Sequence, residues 1–249
     1  MIRATVVLAV LATATAASAA PTAGEVVDGI QKFYANVQHV DAKFRQVVTN
    51  DITGTSKQSD GYVYIMKPGK MRWDYKETIK GNVVVKKSFI SNGSQLWVVE
   101  HDNKQVIKKS LQQDLMPVAV SFLYGKGDLK TEFNAEIDTK SKLGSASDIV
   151  LKLTPKKASA QYKNLYLVVN PTDHHVSQSQ IVDASNNTNH ISFYEPDTTK
   201  AEAPTIFEYN EKEATKSGYR IVDADQQGSN TPAGATDLGP PTTLPPKKP

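Results

Sequence analysis

Apolar and polar side chains alternate most clearly between Gly61 and Tyr75. Alternate residues of a β-strand point to the same face, so this period of two predicts two strand arms, each with one large apolar or aromatic face. The turn between the arms is predicted at Pro68-Gly69. We expect Tyr64 and Trp73 to share one face of the hairpin, and a face this apolar must be buried or must hold an apolar ligand. The large residues at every second position are Tyr62, Tyr64 and Met66 before the turn and Met71, Trp73 and Tyr75 after it.

A helix is predicted before the strands. Between Glu25 and Val40 the apolar residues recur at spacings of three and four, which is the pattern of an amphipathic helix. Thr22 is a candidate N-cap, and Glu25, three residues later, completes a capping box. We expect the apolar side of this helix to pack on the sheet.

Short strands separated by turn residues follow along most of the chain. The first begins after Asp41, where Phe44 and Val48 share one face. A polar loop is expected from Asn50 to Asp60, and Asn92-Gly93 predicts a tight hairpin because both residues tolerate positive φ. The regular spacing indicates an antiparallel meander. Further strands are predicted at Val83–Ser91, Gln95–Glu100, Gln105–Lys109, Thr131–Ile137, Asp148–Thr154, Asn164–Asn170, Val176–Ala184, His190–Tyr194 and Thr205–Tyr209.

The segment from Asp114 to Tyr124 interrupts the strands and predicts a short helix with Asp114 as its cap. Its apolar residues are Leu115, Met116, Val118, Ala119, Phe122 and Leu123. This helix is too apolar for a solvated surface. A long antiparallel sheet must curl or close, and two amphipathic helices packed on a curled sheet would enclose an apolar cavity. On the pattern alone, a ligand-binding cavity and an ordinary apolar core both stay open.

The N-terminal residues have the pattern of an export signal. A short positive stretch precedes an apolar run that is too short to span a bilayer, and Ala17-Ser18-Ala19 fits a cleavage site. We therefore expect residues 1–19 to be a signal peptide and residues 20–224 to be one folded domain. Residues 225–249 are rich in Pro, Gly and Thr, and we expect them to be a disordered tail.

The composition argues against several classes of chemistry. The chain has no cysteine, which excludes disulfides, thiol chemistry and lipid attachment to an N-terminal cysteine. A formal charge of +3 is too balanced to indicate nucleic-acid binding. The five histidines show no ligand spacing for a metal. No Gly-x-Ser-x-Gly motif is present, although a Ser-His-Asp triad of separated residues stays open. We expect no metal site, no cofactor and no enzymatic activity.

Four segments in this order have a combination of residues typical of one family: VQHVDAKFRQ, GYVYIMKPGKMRWDY, SFISNGSQLWVV and LTPKKASAQYKNLYLVVNP. They resemble the LolA family of periplasmic outer-membrane lipoprotein carriers, and the likeness spans Val26 to Tyr209. The resemblance implies a mainly β fold with helices, in which a single antiparallel sheet curves into an unclosed β-barrel, lidded by α-helices around an apolar cavity. It implies a monomeric periplasmic chaperone that receives acylated lipoproteins from an inner-membrane ABC transporter. The chaperone would deliver them to the outer membrane, to an acceptor where one is present.

The resemblance also implies roles for particular residues. Many family members have Arg at the position of Lys67, where it helps to hold the lid closed, and Lys lacks the bidentate fork of Arg. Two other functions stay open: an envelope lipid or lipoprotein sensor or regulator with the same fold, and a secreted hydrolase. The predicted lipid-binding residues are Phe44, Val48, Tyr62, Tyr64, Met66, Met71, Trp73 and Tyr75. The predicted lid residues are Leu115, Met116, Val118, Phe122 and Leu123.

Overall fold

The computed structural model describes residues 20–111, 128–159 and 162–226 of the 249-residue chain. The expected signal peptide, the helix predicted between Asp114 and Tyr124, and all but the first two residues of the expected tail lie outside the described residues. Within the described ranges, no helix is both long enough and apolar enough to cross a membrane.

The first described element is the predicted helix, α1 (Ala23–Asn36). The Glu25 backbone N–H donates to the Thr22 hydroxyl at 3.3 Å, and the Thr22 backbone N–H donates to the Glu25 carboxylate at 2.7 Å. The predicted capping box is therefore confirmed. These hydrogen bonds lower the pKa of Glu25. The helix ends before Val40 because the chain joins the sheet from His39 onward.

Among the described residues, the strands form one twelve-stranded sheet. The strands are β1 (His39–Thr49), β2 (Ser56–Met66), β3 (Lys70–Ile79), β4 (Asn82–Asn92), β5 (Gln95–Glu100), β6 (Gln105–Ser110), β7 (Phe133–Ile137), β8 (Ile149–Pro155), β9 (Asn164–Val169), β10 (Val176–Val182), β11 (Thr188–Asp197) and β12 (Arg220–Asp223). Their order across the sheet is β12-β6-β5-β4-β3-β2-β1-β11-β10-β9-β8-β7.

The sheet is curved and unclosed, with β12 and β7 at its two edges. The pairs from β6 to β7 along the sheet are antiparallel, as predicted. β12 departs from the prediction because it pairs in parallel with β6. The predicted fold class is therefore confirmed for the sheet, with one parallel strand added at an edge.

We call the face of the sheet that packs against α1 the inner face, and the opposite side the outer face. Val26, Val27, Ile30 and Tyr34 of α1 are buried in one hydrophobic cluster with residues of the sheet. The helix and both halves of the sheet therefore share a single core. The strand members of this cluster include Ala42, Phe44, Val63, Ile65, Met71, Trp73, Phe89, Leu151, Leu153, Leu165, Leu167 and Ile191.

After β11 the chain crosses the outer face in a segment that we call the strap, residues 198–226. The strap contains a 3₁₀ helix (Pro204–Phe207) that contacts β3 and β4, a short helix that precedes the last strand, and β12 itself. The strand predicted at Thr205–Tyr209 is therefore wrong. Pro204 has no N–H to donate to a ladder, and a turn there lets the Phe207 side chain become fully buried.

Several other predicted boundaries differ from the structure, and two of the differences have a clear local cause. The loop expected from Asn50 to Asp60 is shorter, because β2 pairs with β1 from Ser56 onward and leaves its polar side chains in solvent. The strand predicted at Thr131–Ile137 begins at Phe133, because Asp128 caps a short helix, α2 (Leu129–Glu132), in front of it.

Candidate functional site

An aromatic cluster occupies the inner face of the first half of the sheet. The ring centroid of Phe44 lies 4.9 Å from that of Trp73 and 5.0 Å from that of Tyr75, both in edge-to-face contact. Trp73 lies 6.2 Å from Phe193, and Tyr75 lies 5.8 Å from Phe89. Trp73 has no exposed surface. These five side chains, which we call the inner aromatic cluster, form a continuous apolar surface across β11, β1, β2, β3 and β4.

A glycine makes room for this cluster. Gly61 of β2 pairs with Phe44 of β1 on one side and with Tyr75 of β3 on the other. A Cβ atom at Gly61 would lie 2.7 Å from two atoms of the Phe44 ring and 2.1 Å from the carbonyl oxygen of Asp74. The missing side chain therefore lets the Phe44 ring occupy the space above Gly61 on β2.

The expectation that Tyr64 and Trp73 share a face is wrong. Trp73 pairs with Val63, and Tyr64 pairs with Arg72, so Tyr64 points to the outer face. Residues directly opposite each other in an antiparallel pair share a face. Residues 67–69 separate Met66 from its partner Lys70, and this turn length pairs odd-numbered residues with odd-numbered ones.

The predicted lipid-binding residues are therefore divided between the two faces. Tyr62, Tyr64 and Met66 lie on the outer face, where the two tyrosine rings stack 6.4 Å apart. The remaining five lie on the inner face and are buried: Phe44, Val48, Met71, Trp73 and Tyr75. Phe89 and Phe193 were not among the predicted lipid-binding residues, although their places in the predicted strands 83–91 and 190–194 were a usable signal.

Lys67 links the turn between β2 and β3 to α1. Its ammonium group donates to the main-chain carbonyl of Tyr34, in the last turn of the helix. A cation is favourable there because the carbonyl groups of a helix C-terminus carry partial negative charge. Partial burial lowers the pKa of Lys67. A contact from Lys67 to a helix was expected for control of the lid, and the helix that it contacts is α1. The predicted lid residues lie outside the described residues.

The side chain of Tyr34 makes a second link between the end of α1 and the sheet. The backbone N–H of Val176, at the start of β10, donates to the Tyr34 hydroxyl at 3.1 Å. Burial raises the pKa of Tyr34 to about 12, so the phenol is neutral at physiological pH. Together with Lys67, this contact fixes the C-terminal end of α1 over the inner face.

A chain of polar groups on the outer face bears on the possible Ser-His-Asp triad. The Ser88 hydroxyl donates to Asp74 at 2.7 Å, and His101 Nε2 lies 3.2 Å from the same hydroxyl oxygen. His101 Nδ1 lies 2.9 Å from the Tyr219 hydroxyl of the strap. Burial lowers the pKa of His101. Ser88 is fully buried and directs its proton to a carboxylate, which is not the arrangement of a nucleophile activated by histidine.

The strap covers the outer face of β3 to β6. Trp97 donates its indole N–H to Glu211 at 2.9 Å, and Tyr209 and Tyr219 pack on the small apolar cluster around Trp97. Arg72 donates to the carbonyl of Ile206 at 3.1 Å. The indole N–H of Trp97 therefore has its hydrogen-bond partner in the strap, and the Trp97 side chain helps to hold the strap on the sheet.

An open groove of about 680 Å³ lies beside the strap on the outer face of β11, β1, β2 and β3. Its charged side chains are largely paired, with Lys43 2.7 Å from Glu195 and Arg45 2.7 Å from Asp60. Lys76 lies over the Tyr62 ring at 3.9 Å. The groove is therefore lined by paired charges together with the aromatic rings of Tyr62 and Tyr194, and these side chains lie on the outer face, opposite the inner aromatic cluster. In the described part of the chain, no group of three or more His, Asp or Glu side chains could hold a metal ion.

Sequence similarity relates this chain to lipoprotein carriers of several bacteria. A profile of the family described as outer membrane lipoprotein carrier protein LolA matches residues 35–210. An outer-membrane lipoprotein carrier protein of Chromobacterium violaceum is 24% identical over 208 residues, covering 83% of this chain and 92% of that protein. One from Neisseria meningitidis serogroup B is 26% identical over 179 residues, covering 72% of this chain and 79% of that protein.

The fold is also similar to that of a solved structure. An uncharacterized conserved protein from Thermus thermophilus aligns with 81% of this chain and 98% of its own length, with a TM-score of 0.50 and 11% sequence identity. At that identity the similarity concerns the fold alone.

Proposed function

Because the chain belongs to the LolA family of outer membrane lipoprotein carrier proteins, we propose that it binds the acyl chains of lipoproteins on the inner face of its sheet. The observation that carries this proposal is the inner aromatic cluster, a surface of five rings on one side of an unclosed sheet, of which four are buried and Phe193 is partly exposed. The wall of the site then consists of Phe44, Val48, Met71, Trp73 and Tyr75, to which we add Phe89 and Phe193.

The energetics explain why such a surface suits a carrier. Exposing an acyl chain to water costs about 0.8 kcal/mol per methylene, or roughly 12 kcal/mol for a chain of about sixteen carbons. Contact with an apolar wall removes most of that cost without covalent chemistry. Transfer to a partner with a more favourable apolar site then needs no energy source in the carrier itself.

Loading requires that the cover of the inner face moves. The C-terminal end of α1 is held by hydrogen bonds from Lys67 to the Tyr34 carbonyl and from Val176 to the Tyr34 hydroxyl. A neutral hydrogen bond contributes about 0.5–1.5 kcal/mol net and one from a charged group about 1.5–3 kcal/mol, and the Tyr34 ring is buried in the core. Release of this end of the helix therefore costs several kcal/mol, which contact of the acyl chains with the apolar wall offsets. In this proposal the lid comprises the end of α1 and the predicted helix that contains Leu115, Met116, Val118, Phe122 and Leu123.

The route follows from the family. The protein works in the periplasm, receives acylated lipoproteins released by an inner-membrane ABC transporter, and delivers them to the outer membrane, to an acceptor where the cell has one. It acts as a monomer and catalyses no reaction.

The test is recovery of the protein from periplasm followed by intact-mass analysis of co-purified acylated lipoproteins. Trp73→Glu places a carboxylate on the inner face and should abolish lipoprotein binding, because covering that charge with an acyl chain would remove it from water without a partner. Tyr62→Glu is the matched control, because Tyr62 lies on the outer face near Lys43 and Lys76. Should Trp73→Glu fail to fold, Phe193→Gln, at a partly exposed position of the same cluster, replaces it. Normal cargo on a folded inner-face variant would refute the site.

A further inference from the structure

Two side-chain amides are buried in the inner face beside the inner aromatic cluster. The Gln46 amide nitrogen donates to the Asn189 side-chain oxygen at 2.8 Å. Gln46 is 1% exposed and Asn189 is 2% exposed. Both belong to strands whose inner-face neighbours are otherwise mostly apolar.

The register of the strands places this amide pair next to the aromatic rings. Gln46 follows Phe44 by two residues on β1, and it pairs with Ile191, which precedes Phe193 by two residues on β11. Asn189 precedes Ile191 by two residues on β11 and lies opposite Val48. The amide pair therefore borders the aromatic surface on the side towards the loop between β1 and β2.

Two hydroxyl groups continue the polar row across the sheet. Ser59 of β2 pairs with Gln46, and Ser179 of β10 pairs with Ile191. Ser179 is 4% exposed. Side chains opposite one another share a face, so this row of polar groups crosses the inner face next to the row of rings.

Burying amides in an apolar wall costs free energy that apolar residues of similar size would avoid. Buried amides are nevertheless useful for binding a ligand that has both apolar chains and polar groups. The acyl chains of a lipoprotein are joined to its anchor through ester and amide carbonyls, which accept hydrogen bonds. Gln and Asn each carry an NH₂ group with two donors and have no charge. A phosphate head group would instead require Arg or Lys to balance its charge.

We propose that Gln46 and Asn189 bind the carbonyl groups that link the acyl chains to the lipoprotein anchor, while the inner aromatic cluster contacts the chains. This inference rests on the proposed function, since it assigns the polar end of the same site. It gives the carrier a means to distinguish an acylated anchor from a plain hydrocarbon. Without cargo the Gln46 amide donates to the Asn189 side-chain oxygen. In the loaded carrier an N–H group of one of the two amides donates to the ligand carbonyl instead.

The experiment compares two synthetic probes that differ only in their carbonyl groups. One is a fluorescent cysteinyl peptide with two palmitoyl esters on its glyceryl group, and the other has two hexadecyl ethers at the same positions. The full mature chain should bind the ester probe about fivefold to tenfold more tightly than the ether probe, which is the effect of one or two neutral hydrogen bonds. Gln46→Leu/Asn189→Leu replaces both partners with apolar groups and should bind the two probes equally.

The control is Gln58→Leu, which removes an exposed glutamine from the neighbouring strand and should keep the preference for the ester. If the double variant does not fold, Asn189→Ser, which shortens one partner, should show a reduced preference. Equal affinity of the unaltered protein for both probes would overturn the inference while leaving the proposed function intact. Failure of the unaltered protein to bind either probe would overturn both.

Discussion

Replacing Gly61 with alanine tests the geometry on which the candidate site depends. The new methyl group would lie 2.1 Å from the Asp74 carbonyl oxygen and 2.7 Å from two atoms of the Phe44 ring. Ordinary contact distances are about 3.5–4.0 Å, so strands β2 and β3 and the Phe44 ring must all shift by roughly 1 Å. The obstacle on one side is backbone, which cannot rotate away.

The expected change in the free energy of unfolding combines two costs and one smaller offset. Overpacking of a dense core typically costs about 1–3 kcal/mol, and a weakened backbone hydrogen bond between the strands adds about 1 kcal/mol. The smaller conformational entropy of alanine in the unfolded chain offsets about 0.5–1 kcal/mol. We therefore expect Gly61→Ala to lose about 2–3 kcal/mol of unfolding free energy, which corresponds to a decrease in Tm of about 4–12 °C for a domain of this size.

The assay is urea unfolding followed by Trp fluorescence, with a parallel measurement of fatty-acid probe affinity. Gly24→Ala in the first turn of α1 is the matched control, because its Cβ would meet no atom within 4 Å. That variant should be unchanged or slightly more stable. The affinity for the fatty-acid probe should fall in Gly61→Ala and stay unchanged in Gly24→Ala, because displacement of Phe44 disturbs the cluster around Trp73. A Gly61→Ala protein as stable as the parent would show that Phe44 does not lie over β2 in this way.

Three further predictions concern the polar contacts around α1 and the strap. Lys67→Met removes the charged donor to the Tyr34 carbonyl and should raise the rate of amide hydrogen exchange in the last turn of α1 about tenfold. An unchanged exchange rate would show that this contact does not hold the helix. Tyr34→Phe leaves the buried N–H of Val176 without its acceptor and should cost about 1–3 kcal/mol in urea unfolding, whereas an unchanged midpoint would contradict the role of the hydroxyl. Burial, with a hydrogen bond to Glu202, raises the pKa of Asp41 to about 6, so its contribution to stability is full below about pH 4 and is lost as the pH rises through about 6. Asp41→Asn should remove that part of the pH dependence, and an identical stability profile in the variant would refute the assignment.

The local elements of this protein followed from its sequence because their causes are local. Thr22 and Glu25 lie three residues apart and make the capping box that starts α1. The strand predicted at Gln95–Glu100 is observed with those bounds, because a turn at Asn92-Gly93 sets its start. Each of the four segments that carry the family resemblance is likewise a short run of neighbouring residues, whereas the expected signal peptide stays a prediction.

The sequence did not predict the structure of the strap. The short helix α3 (Glu211–Lys216) and β12 have no strong periodic pattern of their own. They are held by contacts with distant residues, such as the one between Glu211 and Trp97, which are 114 positions apart. A segment whose stability comes from the surface beneath it cannot be recognised before that surface is known.

The inner and outer faces of the first hairpin were likewise decided by tertiary structure. Large apolar or aromatic residues occupy every second position of both arms, so the sequence determined two apolar rows but not which row faces α1. The turn at residues 67–69 pairs Trp73 with Val63, and this register sends Tyr64 to the outer face. The amide pair of Gln46 and Asn189 joins residues 143 positions apart, and only the closure of β11 onto β1 brings them together. Alternation along a strand is a local property, whereas the identity of the buried face depends on which strands and helices meet.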